Sequence, residues 1–305
     1  MTPDQLRTFA IVAAHGNISK AAQELHLSQP AVSGQLRLLA ESFGEVLYHR
    51  HGRGISLTPA GKQLVIYADR VRFAYEKALG LRDAWNNESG GVFRIGATTT
   101  PASYLLPHLI ATFQRQFPNV QIAMRSGSTA TIVRQLDEFD IGFVEGPISA
   151  QVPVDTMVMP WVTDQIVAIA PPQHELAAYR TGISLEALAQ YPIIQRESGS
   201  GMRRMIEAIF ASHDIKVNVA LDVANIEGVK EAVRAGMGIG FVSAMGMRRD
   251  DRTLTILPVA ADVEVEFRRQ FRILVTHHEV ASRVCRTFLD LSLATDVWLE
   301  HTDLT

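Results

Sequence analysis

The amino-acid sequence predicts an α/β protein in which a small helical N-terminal module and one long helix precede a larger part of alternating strands and helices. Three observations carry this prediction. They are two short amphipathic helices joined by a tight turn over residues 17–37, an apolar stripe from residue 61 to about residue 86, and strand–helix alternation from Val92 onward. The 305 residues exceed the usual size of one domain, and 47% hydrophobic with 20% charged residues is typical of globular proteins with substantial cores.

The N-terminal helices carry recognisable end signals. Gly16 suits the end of the first helix, and Asn17 or Ser19 can cap the second. Ser28 is a good cap for the third helix, and the missing N–H of Pro30 costs nothing in its first turn. The apolar residues expected to face the core around the third helix are Leu27, Val32, Leu36, Leu39 and Phe43.

The third helix also carries a short polar stripe. Gln29, Ser33 and Arg37 are spaced by four residues, with Pro30 and Gly34 beside them. An amide, a hydroxyl and a guanidinium suit base edges and phosphates in a DNA major groove. A solvated face on an ordinary helical bundle is the alternative for such a stripe.

A basic hairpin is predicted next, with strands at residues 46–48 and 55–57 and a glycine-rich connection over residues 49–54. In a winged helix-turn-helix this hairpin is the wing, from which Arg53 would reach a phosphate or the minor groove. An exposed turn is the alternative. Residues 1–90 hold ten Lys or Arg and eight Asp or Glu, so they are slightly basic within a chain of net charge −3.

A long helix opens at Thr58-Pro59-Ala60-Gly61 and keeps an apolar stripe that includes Leu64, Val71 and Leu81. The small N-terminal module has too little chain to cover this stripe, so we expect the helix to pair with its counterpart in a second copy. Residues 86–91 are rich in Asn, Ser and Gly and are expected to form a hinge.

Beyond the hinge, strands are predicted at residues 93–97, 120–124, 141–144, 165–169, 193–194, 219–223, 240–243 and 271–275. This order predicts mostly parallel sheets in two lobes joined by two crossovers. Hydroxyl side chains and backbone N–H groups at three helix starts, each after a strand, indicate an anion site, although plain N-capping is the alternative. The candidate ligand-binding residues are Thr99, Thr100, Ser128, Thr129, Glu197 and Ser200, with Arg125 and Arg196 as the nearest cations in sequence.

The N-terminal residues also form a pattern: Leu6 to Phe9, Ala21-Ala22, Leu25, Leu27 to Ser33, Leu36, Leu39, Gly44, Leu47, Arg50 and Leu57 to Gly61. This pattern resembles the N-terminal domain of LysR-type transcriptional regulators, and the resemblance extends more weakly over nearly the whole chain. Two residues depart from it: Gly34 stands where the family often has a basic side chain, and Ala40 where it usually has Glu. Residues 143–147 and 197–201 with Arg203 look similar to regulators of carbon fixation and of sulfur assimilation.

The resemblance implies a winged helix-turn-helix plus linker helix, followed by a two-lobed, periplasmic-binding-protein-like α/β effector domain. Thr100 and Thr129 fall where family members contact their effector. We expect a DNA-binding domain at residues 1–60, a dimerisation helix at 61–88 and an effector-binding domain at 92–305. Its lobe I would hold about residues 92–162 and 267–305, and its lobe II about 163–266. The residues expected to contact DNA are Ser28, Gln29, Pro30, Ser33, Gly34, Arg37, Arg50 and Arg53.

The predicted function is therefore sequence-specific transcriptional regulation, modulated by a small, anionic metabolite. Operator DNA and further copies of the chain, as a dimer or tetramer, are the other expected partners, and contact with RNA polymerase stays open. An enzyme and a solute-binding protein are the alternatives, but no nucleophile, acid–base or cofactor motif is present, and the glycines of residues 236–240 precede a strand rather than a helix. We expect no cofactor and no metal, a core position for the single cysteine, Cys285, and a cytoplasmic location, because neither a signal peptide nor an apolar span of ~20 residues is found.

Overall fold

The computed structural model describes residues 1–51, 54–85, 91–146, 148, 152–248, 250–276, 279 and 282–294. The chain divides into two compact units, Met1–Gly91 and Val92–Thr305. Among the described residues, none of the helices combines the length and the apolar character that crossing a bilayer requires.

In its described residues, the first unit is built from four helices and one hairpin. Its elements are α1 (Pro3–His15), α2 (Ile18–Glu24), α3 (Gln29–Phe43), β1 (Tyr48–His51), β2 (Gly54–Leu57) and α4 (Pro59–Trp85).

Side-chain caps set the helix starts in this unit. Asn17, rather than Ser19, caps α2 by accepting a hydrogen bond from the Lys20 N–H, and Ser28 caps α3 by accepting one from the Ala31 N–H. Gly16 ends α1 with a φ of 58°, a left-handed conformation that glycine adopts without strain.

Two residues expected in the core of this unit are exposed. Val32, Leu36 and Leu39 are fully buried, as predicted, but Leu27 is 40% and Phe43 is 41% exposed. Leu27 lies in the turn before α3, and Phe43 is the last residue of α3, immediately before the left-handed Gly44. Helical periodicity therefore overestimated the apolar face at the C-terminal end of the helix, and the turn before the helix does not bury Leu27 as expected.

The hairpin has longer strands and a shorter connection than the sequence pattern suggested. Antiparallel pairing joins Tyr48 to Leu57 and His51 to Gly54, so the basic residues 49–51 belong to a strand. Arg53, expected at the tip of the wing, lies outside the described residues.

The long helix α4 packs partly on its own unit. Leu64 and Ala68 are buried in the same apolar cluster as Phe9 and Leu36, so this part of the predicted stripe is covered within the chain. Tyr67, between these two residues, is 62% exposed, and Tyr75, further along, is 44% exposed, while the side chain of Leu81 lies outside the described part.

The second unit alternates strands and helices. Its elements are β3 (Val92–Ala97), α5 (Leu106–Gln116), β4 (Gln121–Ser126), α6 (Thr129–Arg134), β5 (Ile141–Glu145), β6 (Thr156–Ala170), α7 (Leu185–Ala189), β7 (Ile193–Arg196), α8 (Gly201–Ser212), β8 (Val219–Val223), α9 (Ile226–Arg234), β9 (Ile239–Ser243), β10 (Thr255–Leu257), α10 (Ala261–Glu264), β11 (Arg268–Thr276) and α11 (Arg283–Ala294). A single π-helical turn, Pro101–Leu105, precedes α5.

The strands form a mixed sheet in the order β4-β3-β5-β11-β6-β9-β7-β8, with β10 also paired to β6. We call the part around β3, β4 and β5 lobe I, and the part around β7, β8, β9 and β10 lobe II. Strands are parallel within β4-β3-β5 and within β9-β7-β8, but β6 and β11 run antiparallel to their neighbours. The expectation of mostly parallel sheets was wrong, because the two crossover connections are themselves long strands of the sheet and run antiparallel to their neighbours.

Each lobe has its own apolar core. One core contains Phe93, Phe113 and Phe288, with Cys285 buried among them as expected, and the other contains Phe210, Phe241 and Phe267. Strand β6 passes from one lobe to the other, because residues 156–165 pair with β11 and residues 166–169 pair with β9. We call the place where β6 changes its partner the seam.

Candidate functional site

The exposed face of α3 presents the residues that the sequence singled out. Gln29, Pro30 and Arg37 are exposed, and Ser33 and Gly34 are half-buried. Arg37 makes an exposed ion pair of 3.2 Å with Glu41, one turn further along the helix. An exposed pair of this kind contributes little to stability, so the guanidinium stays available to exchange Glu41 for a phosphate or a base.

Arg50 links this face of α3 to the hairpin. Its Nη2 donates a hydrogen bond of 3.2 Å to the Ser33 Oγ. Grooves of about 1060 Å³ and about 370 Å³ lie in this unit, and Arg50 lines both. Ser33 and Arg37 line the larger groove, and Gln29 lines the smaller groove. The third helix and the hairpin thus hold their polar side chains in one surface of the first unit.

The second unit holds a buried ion cluster at the seam, formed by Arg269, Asp164 and Glu145. The Arg269 Nη2 lies 2.7 Å from the Asp164 Oδ2, and the Arg269 Nη1 lies 3.0 Å from the Glu145 Oε2. The side chains are 4%, 0% and 10% exposed for Arg269, Asp164 and Glu145. Arg269 and Asp164 are direct cross-strand neighbours on β11 and β6. Three charges are therefore concentrated where the sheet passes from lobe I to lobe II.

Asp164 is anchored more strongly than Glu145. It also accepts a hydrogen bond of 2.6 Å from the Ser243 Oγ at the end of β9, and one of 2.8 Å from the Arg269 Nε. Burial raises the pKa of Asp164, against the lowering influence of Arg269 and Ser243. The hydrogen bonds to Asp164 connect the crossover strands to lobe II.

Three of the residues predicted to bind a ligand adjoin this cluster. The Thr100 Oγ1 accepts a hydrogen bond of 3.0 Å from the Arg269 Nη2, and the Thr129 Oγ1 donates one of 2.7 Å to the Glu145 carbonyl oxygen. Ser200 caps α8, and a Cβ added to the next residue, Gly201, would lie 3.8 Å from the Glu145 Oε1.

The other predicted residues have local roles in this structure. Ser128 caps α6, and Glu197 forms an ion pair of 2.8 Å with Arg196, the residue before it. Thr99 is half-buried. Arg125, one of the two cations nearest in sequence, is engaged by Glu138 at 2.7 Å. Neither Arg125 nor Arg196 is part of the ion cluster.

Three buried polar atoms at or near the ends of parallel strands have no hydrogen-bond partner among the described residues: the Thr98 Oγ1, immediately after β3, the Gln195 Oε1, in β7, and the Glu145 Oε2, at the end of β5, whose contact with Arg269 is an ion pair. A buried polar atom left unpaired costs ~1–3 kcal/mol, so such atoms are exceptional in a native structure. A ligand or water molecule would remove that cost.

A second polar contact also crosses between the lobes. The Tyr104 hydroxyl, from the π-helical turn of lobe I, donates a hydrogen bond of 2.9 Å to the Glu227 Oε1 on α9 of lobe II. Burial and this hydrogen bond raise the pKa of Tyr104. Glu227 in turn pairs with the buried Lys230 at 2.9 Å.

Sequence reasoning missed Arg269 and Asp164, although a signal for both was present. In β11, Arg269 alternates with Phe271 and Ile273, and all three are buried. In β6, Asp164 likewise alternates with the buried Ile166 and Ala168. A charged residue in register with the apolar face of a strand must be paired inside the fold, and that rule would have identified both residues.

Comparisons with known proteins agree with this architecture. Residues 3–62 match the family described as bacterial regulatory helix-turn-helix protein, lysR family, and residues 86–296 match the LysR substrate binding domain. The chain belongs to the LysR family of bacterial transcriptional regulators.

Several family members show how far the similarity extends. A RuBisCO operon transcriptional regulator of Allochromatium vinosum is 32% identical over 84% of this chain and 84% of its own length. A full-length OxyR variant of Pseudomonas aeruginosa is 22% identical with a TM-score of 0.73, over 97% of this chain and 96% of that chain. The regulatory domain of CcmR from Synechocystis PCC6803, solved in complex with 2-PG, is 26% identical with a TM-score of 0.59, over 67% of this chain and 96% of that domain.

Family membership decides between the functions that the sequence left open. The chain is a DNA-binding transcriptional regulator with an effector-binding domain and is not an enzyme. LysR-type regulators bind operator DNA and small-molecule effectors and form oligomers. Operator DNA, a small-molecule effector and further copies of the chain are therefore partners of this protein. The similarity to a RuBisCO operon regulator agrees with the expected likeness to regulators of carbon fixation.

Proposed function

We propose that this LysR-type regulator responds to a small anionic metabolite bound at the seam of its second unit. The observation that carries the proposal is that Thr100 hydrogen-bonds to Arg269 and Thr129 to the backbone of Glu145, while the start of α8, capped by Ser200, lies near the Glu145 carboxylate. Thr99, Ser128 and Glu197 complete the proposed effector-binding set. The regulatory domain of CcmR, a family member, was solved with 2-PG, and an anion of that kind suits a guanidinium flanked by hydroxyls and the start of α8.

DNA recognition is proposed for the exposed face of α3, with Gln29, Pro30, Ser33 and Gly34 toward base edges and Ser28, Arg37, Arg50 and Arg53 toward phosphates or the minor groove. We assign residues 1–60 to DNA binding, 61–88 to dimerisation and 92–305 to effector binding, with lobe I at about 92–162 and 267–305 and lobe II at about 163–266. A regulator that acts on genomic DNA in a bacterium works in the cytoplasm, which is the proposed location.

Calorimetry on the full-length chain tests the ligand class directly. The panel comprises 2-PG, inorganic phosphate, small dicarboxylates, and neutral and cationic metabolites of similar size. Binding of the anions alone supports the proposal. Binding confined to neutral or cationic compounds would contradict it.

Thr100→Val provides the site-specific arm of this test. Valine keeps the shape of threonine but leaves a donor of the buried Arg269 without its acceptor, so anion affinity should fall by about tenfold, or ~1.4 kcal/mol. Operator binding by gel shift without ligand serves as the control for folding. Unchanged anion affinity in Thr100→Val would remove this residue from the site.

A further inference from the structure

The cluster at the seam contains one more carboxylate than is required to compensate the charge of its single guanidinium. Arg269 carries one positive charge, whereas Asp164 and Glu145 together carry two negative charges in a region where all three side chains are at least nine-tenths buried. Burying a charge is costly unless a partner compensates it. One carboxylate is enough to compensate the guanidinium, so the second is an excess buried charge.

The two carboxylates are not equivalent. Asp164 is fully buried, receives hydrogen bonds from Ser243 and from the Arg269 Nε, forms an ion pair of 2.7 Å with the Arg269 Nη2, and lies directly opposite Arg269 in the sheet. The contact of Glu145 with the cluster is the 3.0 Å ion pair to a single nitrogen, Nη1, and its side chain keeps 10% exposure. Removal of Glu145 would leave a neutral Arg269–Asp164 pair, whereas removal of Asp164 would leave several donors unsatisfied. Glu145 is therefore the partner that can be exchanged.

The position of Glu145 coincides with the place proposed for the effector. It is the last residue of β5, its carboxylate contacts the guanidinium, and its Oε1 lies near Gly201 at the start of the 12-residue helix α8. The start of a helix attracts negative charge, and Arg269 adds a full positive charge beside it. A carboxylate of the chain itself thus occupies the surroundings that suit an anionic ligand.

We infer that Glu145 is a resident competitor of the effector: an anionic ligand binds by displacing the Glu145 carboxylate from the Arg269 Nη1. This inference rests on the proposed function, because it specifies how the same site receives its ligand. Arg269 is then the cationic anchor of the ligand, and Asp164 and Thr100 hold its guanidinium in place while the third partner changes. An internal competitor lowers the apparent affinity by the fraction of time it occupies the site.

The decisive experiment compares Glu145→Gln with wild type by calorimetry on the full-length chain, using 2-PG and inorganic phosphate as probes at fixed ionic strength. Glutamine keeps the size of glutamate but removes the charge that repels the anion and holds Nη1. The apparent Kd for both probes should fall by about tenfold, equivalent to ~1.4 kcal/mol. Glu231→Gln is the matched control, because it removes one carboxylate from an exposed ion pair with Arg234 on α9 and should leave both affinities unchanged.

Arg269→Lys forms the second arm. Lysine keeps the charge but cannot donate at once to Asp164, Thr100 and an anion in the planar geometry of a guanidinium, so anion affinity should fall by about tenfold or more. Far-UV circular dichroism reports whether this variant is folded; if it is not, the Glu145→Gln comparison alone decides.

The outcomes separate the inference from the function on which it rests. Tighter binding by Glu145→Gln, with Glu231→Gln like wild type, supports displacement. Anion binding by wild type that is equal or weaker in Glu145→Gln overturns the inference but leaves the proposed anion site intact. Absence of anion binding in both wild type and Glu145→Gln overturns the inference and the proposed function together.

Discussion

Two glycines in helices of the first unit should respond in opposite ways to the same substitution. Alanine is about 1 kcal/mol more favourable than glycine inside a helix, so propensity alone predicts that Gly34→Ala and Gly61→Ala both stabilise the protein. The surroundings of the two residues differ. A Cβ on Gly34 would meet nothing within 4 Å, whereas a Cβ on Gly61 would lie 1.9 Å from the Leu47 carbonyl oxygen and 3.0 Å from its carbon.

The contact at Gly61 cannot be relieved by rotating a side chain, because the atom in the way belongs to the backbone. The Leu47 carbonyl also accepts a hydrogen bond of 3.1 Å from the Thr58 N–H, and the Thr58 Oγ1 accepts one of 3.0 Å from the Gly61 N–H. An added methyl group must therefore push the start of α4 away from Leu47. Overpacking of this kind costs ~1–3 kcal/mol or more, which exceeds the gain from propensity. We expect Gly61→Ala to be destabilising by ~1–2 kcal/mol and Gly34→Ala to be stabilising by up to ~1 kcal/mol.

Thermal unfolding followed by far-UV circular dichroism measures both variants on the same transition, that of the first unit. For a unit of about this size, 1 kcal/mol corresponds to a shift of roughly 4–8 °C in Tm, so the two variants should lie on opposite sides of wild type. A Gly61→Ala variant as stable as Gly34→Ala would refute the packing of α4 against Leu47 that underlies this reasoning.

Two further predictions concern DNA and assembly. Gln29→Ala should weaken binding to the operator by ~1–3 kcal/mol and change binding to random DNA little, as measured by gel shift on both; equal losses on the two DNAs would exclude Gln29 from base recognition. Val71→Asp places a charge on a half-buried residue of α4 and should yield monomers by analytical ultracentrifugation where wild type gives dimers or larger species. Asp in place of the exposed Ile66 is the control, and dissociation by both variants or by neither would contradict the predicted interface.

Much of the first unit could be predicted from the sequence because its determinants are local. Ser28 caps the helix three residues before the N–H it accepts from, and Val32, Leu36 and Leu39 follow a single period. The errors arose at Leu27, in the turn before the helix, and at Phe43, its last residue, where a helical pattern no longer says which side of the chain is covered.

The effector site was predictable only in part, because its centre is assembled from distant segments. Thr100 and Thr129 were found through helix starts, which are local features. Arg269 is 105 residues from Asp164 and 169 from Thr100 along the chain, so the pairing between them exists only in the folded sheet. Periodicity could reveal that Arg269 is buried, but not which carboxylates meet it.

The location of the cluster also indicates how ligand binding can reach the rest of the domain. β6 changes its partner from β11 to β9 between Gln165 and Ile166, one residue after Asp164, and ligand sites occur preferentially at the boundary between two parts of a fold. A rotation of one lobe against the other must bend β6 or β11 at this point, and these strands carry Asp164 and Arg269. The guanidinium is further connected to Thr100 in lobe I and, through Asp164, to Ser243 in lobe II. An anion that exchanges with Glu145 at Arg269 would therefore change a contact in the part of the sheet that both lobes share. Differential contacts of that kind are what a ligand needs in order to favour one arrangement of the lobes over another.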